Sequence, residues 1–253
     1  MLESFIIAFS MYSKIPMPKV NWTEKGMKYS MCFFPLVGAV IGACSMGVFC
    51  GMQALSFGKV CRAVFLTLLP ILLNGGIHMD GFLDTVDARC SYQPKEERLK
   101  ILKDPHAGAF AIIYGGVYFL VMFGLFSEIE AAQMTALAFG YVYSRILSGL
   151  SVVAFPKAKK EGTVAAFADA AQNRVKWILI GEAVVWGAVW IWVSPLYGLV
   201  CMTVGVLVFV YYYVMSKKQF GGITGDLAGY FLQLCELFLL AAVVAAGKTL
   251  TLL

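Results

Sequence analysis

Apolar residues along the chain fall into long, nearly unbroken runs parted by short polar segments. Runs long enough to cross a hydrocarbon layer roughly 30 Å thick lie at about 30–56, 61–79, 108–127, 131–154, 177–193, 196–215 and 227–247. The pattern predicts seven transmembrane helices. The short connections at 127–130 and 194–197 read as hairpins, the second carrying a helix-stopping Pro195. Residues 1–13 are apolar but too short to cross, and are expected to form an interfacial or half-inserted helix. No repeat, low-complexity linker or soluble segment divides the chain, so residues 1–253 read as one all-α, polytopic membrane domain.

Composition supports this reading. Of the 253 residues 60% are hydrophobic and 14% charged, and the mean hydropathy is +0.78. A soluble globule of this size needs more polar surface. The start, MLESFIIAFSMYSK, has no basic residue before its apolar stretch and no small-residue cleavage site, so Met1 is expected to persist in the mature protein. The seven cysteines include no CxxC pair and sit mostly within apolar runs, which argues against disulfides and thiolate metal sites.

Charge then orients the bundle. Segments 14–28, 80–107, 155–176 and 216–226 together hold sixteen of the twenty Lys and Arg. Alternating seven helices places all four on one side, which the positive-inside rule names cytoplasmic. A net charge of +5 spread in this way fits an anionic lipid surface and not a nucleic-acid partner.

Against this background the segment NGGIHMDGFLDTVDARC, Asn74 to Cys90, is anomalous. Asp80, Asp84 and Asp87 are spaced by four and three, which stacks three carboxylates on one stripe of a helix. Like charges so close repel unless a cation lies among them, and carboxylate oxygens suit Mg²⁺, or Mn²⁺, better than a soft metal. Gly75, Gly76 and Gly81 bracket the stripe, where glycine lets a bulky anion approach the backbone or lets the helix break. His78 lies just upstream.

Further along, RLKILKDPHAG brings Arg98, Lys100, Lys103 and Asp104 to the same membrane face. Basic groups beside a metal cluster make a receptor for phosphate, and a diphosphate fits. FGGITGDLAGY, Phe220 to Tyr230, adds Gly221 and Gly222 as backbone donors and Asp226 as a helix cap or metal ligand. Arg145 falls inside a span and needs an acidic or phosphate partner. Glu182 and Glu236 also fall within spans, where pairing inside the bundle is expected. Trp186, Trp190, Trp192 and Tyr211 to Tyr213 read as interface belts and lipid-facing bulk.

Taken in order, SKIPMP, FFPLVGAVIG, NGGIHMDGFLDTVD with KDPHAG, and GGITGD resemble the cobalamin synthase family, the adenosylcobinamide-GDP ribazoletransferases, over nearly the whole chain. GIHMDGFLDTVD is the most specific stretch. The resemblance implies joining of adenosylcobinamide-GDP to α-ribazole or its 5′-phosphate, with release of GMP and use of Mg²⁺. Carried over, Asp80, Asp84 and Asp87 hold the metal on the diphosphate, with His78 or one aspartate as base. Lys103 and Asp104 complete the phosphate site and Asp226 lines the opposite wall. Asn74, Gly75, Gly76, Arg98, Arg145, Gly221 and Gly222 are the remaining candidates for substrate contact. Membrane lipid is an expected neighbour, nucleic acid is not, and a homo-oligomer is compatible with the chain. Two other readings stay open: a phosphotransferase of the CDP-alcohol type acting on a lipid, whose DGxxAR motif is similar in chemistry, and a metal- or proton-coupled transporter. The surface position of the carboxylates argues against transport, because transporter sites lie near the bilayer centre.

Overall fold

The computed structural model describes residues 1–159, 162–171 and 173–250. They form twelve helices: α1 (Leu2–Tyr12), α2 (Glu24–Met27), α3 (Ser30–Ala54), α4 (Lys59–Asn74), α5 (Ile77–Cys90), α6 (Lys95–Ile101), α7 (Ala109–Ser127), α8 (Ala131–Ala154), α9 (Thr163–Ala170), α10 (Asn173–Val193), α11 (Pro195–Phe220) and α12 (Gly225–Leu250). Six of them, α3, α7, α8, α10, α11 and α12, are long and apolar enough to cross a membrane, and α4 with α5 makes a seventh, sharply bent candidate. The chain is an integral membrane bundle.

One expectation is corrected here. The run 61–79 is not a single straight span, because α4 ends at Asn74 and α5 leaves it at 95°. Sixteen residues at 1.5 Å each make α4 roughly 24 Å long, so on its own it falls short of the roughly 30 Å apolar layer. The turn is made by Gly75 and Gly76, both at positive φ (67° and 78°), a conformation in which any Cβ is strained.

α8 and α12 are the most buried spans, and the others surround them. α3 lies against α8 with almost no side chain between them: a Cβ on Gly38 would stand 2.3 Å from the Tyr141 carbonyl oxygen, and one on Gly42 2.6 Å from that of Ala138. Small residues let helix backbones meet where lipid supplies no hydrophobic drive. Ion pairs tie the helix ends at one end of the bundle, Lys59 to Glu130 at 2.8 Å and Lys248 to Glu128. At the other end, here the near end, lie α5 and the segments 14–28, 91–108, 155–159, 162–171 and 221–224.

The aromatic assignments change in part. Trp192 is 83% exposed, as expected of a lipid-facing residue, but Trp190 and Tyr212 are fully buried in the core. Trp186 donates its indole N–H to the Phe139 carbonyl at 3.0 Å. α1 packs on α3 inside the near-end assembly, burying Ile7, Phe9 and Tyr12.

Candidate active site

α5 is held on α12 by backbone contact. A Cβ on Gly81 would lie 2.6 Å from the Asp226 carbonyl oxygen, and one on Gly229 2.9 Å from that of His78. Beside this seam Phe82 stacks on Tyr230 with centroids 5.5 Å apart and planes 11° from parallel. Asn74 fixes the start of α5: its Oδ1 accepts the Gly76 N–H at 3.1 Å, so this side chain shapes the turn that launches the helix. The two aspartate-bearing segments, remote in sequence, therefore meet at one point.

Asp80 is exposed while Asp84, Asp87 and Asp226 are half-buried. Asp80, Asp87 and Asp226 each act electrostatically on Asp84. Asp87 also bonds to the next span, its Oδ2 accepting the Gly108 N–H at 2.6 Å and its Oδ1 the Ala111 N–H at 2.8 Å. It thus caps α7, satisfying amides that would otherwise be orphaned and placing an anion at the positive end of the helix dipole. A Cβ on Gly108 would stand 2.8 Å from both oxygens, so the cap requires glycine there. Asp80, Asp84 and Asp226 keep their oxygens free of such capping by a second helix. As hard donors they suit a divalent cation that retains open positions for phosphate oxygens or water. Among the described residues no three acidic, histidine or cysteine side chains stand close enough together, as they lie, to hold a metal ion.

Beside Asp226 opens a cavity of about 680 Å³, lined also by Lys103, Lys159, Thr163, Thr224 and Gly225. That volume is in the usual range for a small-molecule site. Lys159 arrives through a short parallel bridge between Lys157 and Ile223: the Ala158 N–H donates to the Ile223 carbonyl at 3.0 Å and the Ile223 N–H to that of Pro156 at 2.8 Å. Gly222 permits the bridge, since its Cβ would stand 2.4 Å from the Pro156 carbonyl oxygen, and Gly221 (φ 81°) ends α11 just before it. These glycines lead into Ile223 and Thr224, which line the cavity. Burial, then repulsion from Lys103, draw the Lys159 ammonium below its ordinary value, against the pull of Asp226. Two ammonium groups facing one cavity are relieved by a bound anion.

A smaller cavity of about 140 Å³ adjoins it, sharing Thr163, Val164, Gly225 and Asp226, and is lined also by His78, Asp80, Tyr12 and Phe34. His78 is 4% exposed and stacks near Tyr12, with centroids 5.9 Å apart. Its Nε2 has no hydrogen-bond partner among the described residues.

The other sequence candidates fall elsewhere. Arg145 is fully buried and paired with Glu236, which supplies the acidic partner its position demands and removes it from the cavities. Arg98 donates to the Gln219 Oε1 at 2.9 Å, on the side of α5 away from the aspartate stripe. Asp104 is exposed and accepts from the His106 backbone N–H at 3.0 Å, a bond that, with the His106 ring, holds its carboxyl below the ordinary value. Lys159, Thr163 and Thr224 were missed by sequence reasoning. They sit in loops or a short helix, and nothing local marks them.

Residues 4–244 match the family described as cobalamin-5-phosphate synthase. The chain belongs to the cobalamin-5-phosphate synthase family. A relative from Lachnoclostridium phytofermentans named adenosylcobinamide-GDP ribazoletransferase is 50% identical over 97% of this chain and 95% of its own. Proteins of the same name from Clostridium perfringens (31% identical, 91% of this chain and 92% of the relative) and Desulfitobacterium hafniense (29%, 93% and 94%) are also similar. No solved structure matches the chain.

For this member of the cobalamin-5-phosphate synthase family the α5–α12 seam gives a direct test. Gly81→Ala is expected to push α5 off α12 and lower turnover by about 10²-fold, because small displacements of a reacting constellation are costly. The protein should still insert and purify, and steady-state kinetics on the purified variant checks both.

Proposed function

We propose that the chain is an adenosylcobinamide-GDP ribazoletransferase: it transfers the phosphocobinamide group of adenosylcobinamide-GDP to α-ribazole or its 5′-phosphate, forming adenosylcobalamin or its 5′-phosphate and releasing GMP. The observation that carries this reading is 50% identity, over nearly the full length of both chains, to a protein of that name. The near-end site supports it chemically. A ribose hydroxyl oxygen bonds to the corrinoid-side phosphorus, the bond from that phosphorus to the bridging oxygen breaks, and GMP leaves with the electron pair. Lys103 and Lys159 hold the diphosphate in the large cavity. Asp80, Asp84 and Asp226 would hold Mg²⁺, with Mn²⁺ as a substitute, and the ion would supply charge stabilisation for phosphate oxygens. The hydroxyl proton passes to His78 or to one of the aspartates, and Asp87 keeps α7 and the preceding loop in place.

The bias of Lys and Arg toward the near end supports a cytoplasmic orientation for it, in the cytoplasmic membrane. Purified protein in lipid, given adenosylcobinamide-GDP, α-ribazole and Mg²⁺, is expected to release GMP stoichiometrically with cobalamin formation, and chelator should abolish the release. A CDP-activated lipid supplied in parallel should yield no CMP. Nucleotide release from the lipid donor alone would overturn the assignment.

Lys159→Met is expected to raise the KM for adenosylcobinamide-GDP by about tenfold, the loss of one charge-assisted phosphate contact. Initial rates against donor concentration measure it.

A further inference from the structure

The face of α5 opposite the aspartate stripe borders a second cavity, of about 410 Å³, between α5, α7, α11 and α12. Its upper end is cationic. Arg89 Nε and Arg98 Nη1 both donate to one neutral acceptor, the Gln219 Oε1, at 3.3 and 2.9 Å. Arg89 also donates to the Tyr230 hydroxyl and lies over the Tyr211 and Tyr230 rings. Neither guanidinium meets a carboxylate among the described residues, and Arg98 Nε, buried, finds no acceptor there. Two guanidinium groups converging on a single amide oxygen leave a place for an anion with several acceptor oxygens.

Below this end the walls are apolar. Val117, Val121, Leu234 and Leu237 line them, at roughly 12 to 18 Å from the near-end starts of α7 and α12 at 1.5 Å per residue. Val117 and Val121 are 50% and 42% exposed, so this wall opens sideways to the membrane. A cationic mouth at the membrane surface above an apolar slot running into the bilayer matches a phosphate-bearing amphiphile.

We propose that this groove binds one anionic phospholipid, its headgroup phosphate between Arg89 and Arg98 and an acyl chain along Val117, Val121, Leu234 and Leu237. The alternative source of the same chemistry, the phosphorylated acceptor with its aromatic base, is disfavoured because α5 stands between the groove and the aspartates. A lipid here braces the back of α5, the helix that carries the site.

The test is native mass spectrometry of the full-length protein released from nanodiscs of phosphatidylcholine with and without phosphatidylglycerol. Wild type is expected to retain one phosphatidylglycerol in preference to phosphatidylcholine. Arg89→Gln/Arg98→Gln should lose that preference by about tenfold, the scale of two charge-assisted contacts to a headgroup. Val121→Trp, which fills the slot from its lipid-facing side and leaves both arginines intact, should lower retention too, and carries the test if the double variant fails to insert. Equal retention of the two lipids by wild type, or unchanged retention in the variants, would overturn the proposal. So would displacement of the phosphatidylglycerol by α-ribazole 5′-phosphate, which would make the groove the acceptor site.

Discussion

Asp84→Asn is expected to cut GMP release by about 10³-fold, the scale on which one preorganised charge group acts in a transition state, with Asp80→Asn close behind. Asparagine preserves the size and planarity of the side chain and removes the charge, so packing of α5 on α12 through Gly81 and Gly229 should survive. The measurement is single-turnover GMP release by purified, monodisperse protein at saturating Mg²⁺. Asp87→Asn supplies the contrast. It keeps one oxygen for the two α7 amides it now serves, so its first effect should be a loss of about 1 kcal/mol from the α7 cap, seen as a lowered Tm, with a smaller loss of rate. If Asp84→Asn turned over at a tenth of the wild-type rate or better, metal ligation by this stripe would be untenable.

The second large effect is on stability. Glu236→Ala is expected to destabilise the folded bundle by about 3–5 kcal/mol, the usual result of stripping the partner from a buried charge. Arg145 and Glu236 have side chains only 0% and 3% exposed. Arg145 Nη1 also donates to the Tyr141 carbonyl at 3.1 Å and the Ser144 hydroxyl at 3.0 Å, which orients the guanidinium without neutralising it. Arg145→Met/Glu236→Leu removes both charges with similar volume, and should recover most of the loss in thermal unfolding monitored in detergent. A folded double variant without turnover would return Arg145 to the substrate site, contrary to its burial here.

Helical membrane architecture was open to reading because apolar run length and the distribution of Lys and Arg are local properties of the chain. The demand of Arg145 for a partner was equally plain, since a charge in hydrocarbon has few solutions. Gly75 and Gly76 were not decidable in this way: glycine serves a close-approaching anion and a broken helix alike, and here it makes the 95° turn. Asp87 fits the same helical stripe as Asp84, yet its bonds run to Gly108 and Ala111, and no spacing rule foretells a partner on the next span. Lys159 reaches the cavity through the pairing of residues 157 and 223, a contact without local signature. Trp190 was misplaced for a different reason. Lipid tails and bundle interior are equally apolar, so hydrophobicity cannot tell which way an aromatic residue of a span points.

The contact of α5 with α12 also limits how such an enzyme can change. Where two main chains touch at Gly81 and Gly229, no side chain can be enlarged to suit a new substrate. Variation in the lower base or acceptor must be absorbed by the rim at Lys159 and Gly162 to Ala165, whose residues border the large cavity without bearing the helix crossing. Surveys of natural or selected variants with altered acceptor preference should therefore find substitutions concentrated on that rim and the glycine crossing left untouched.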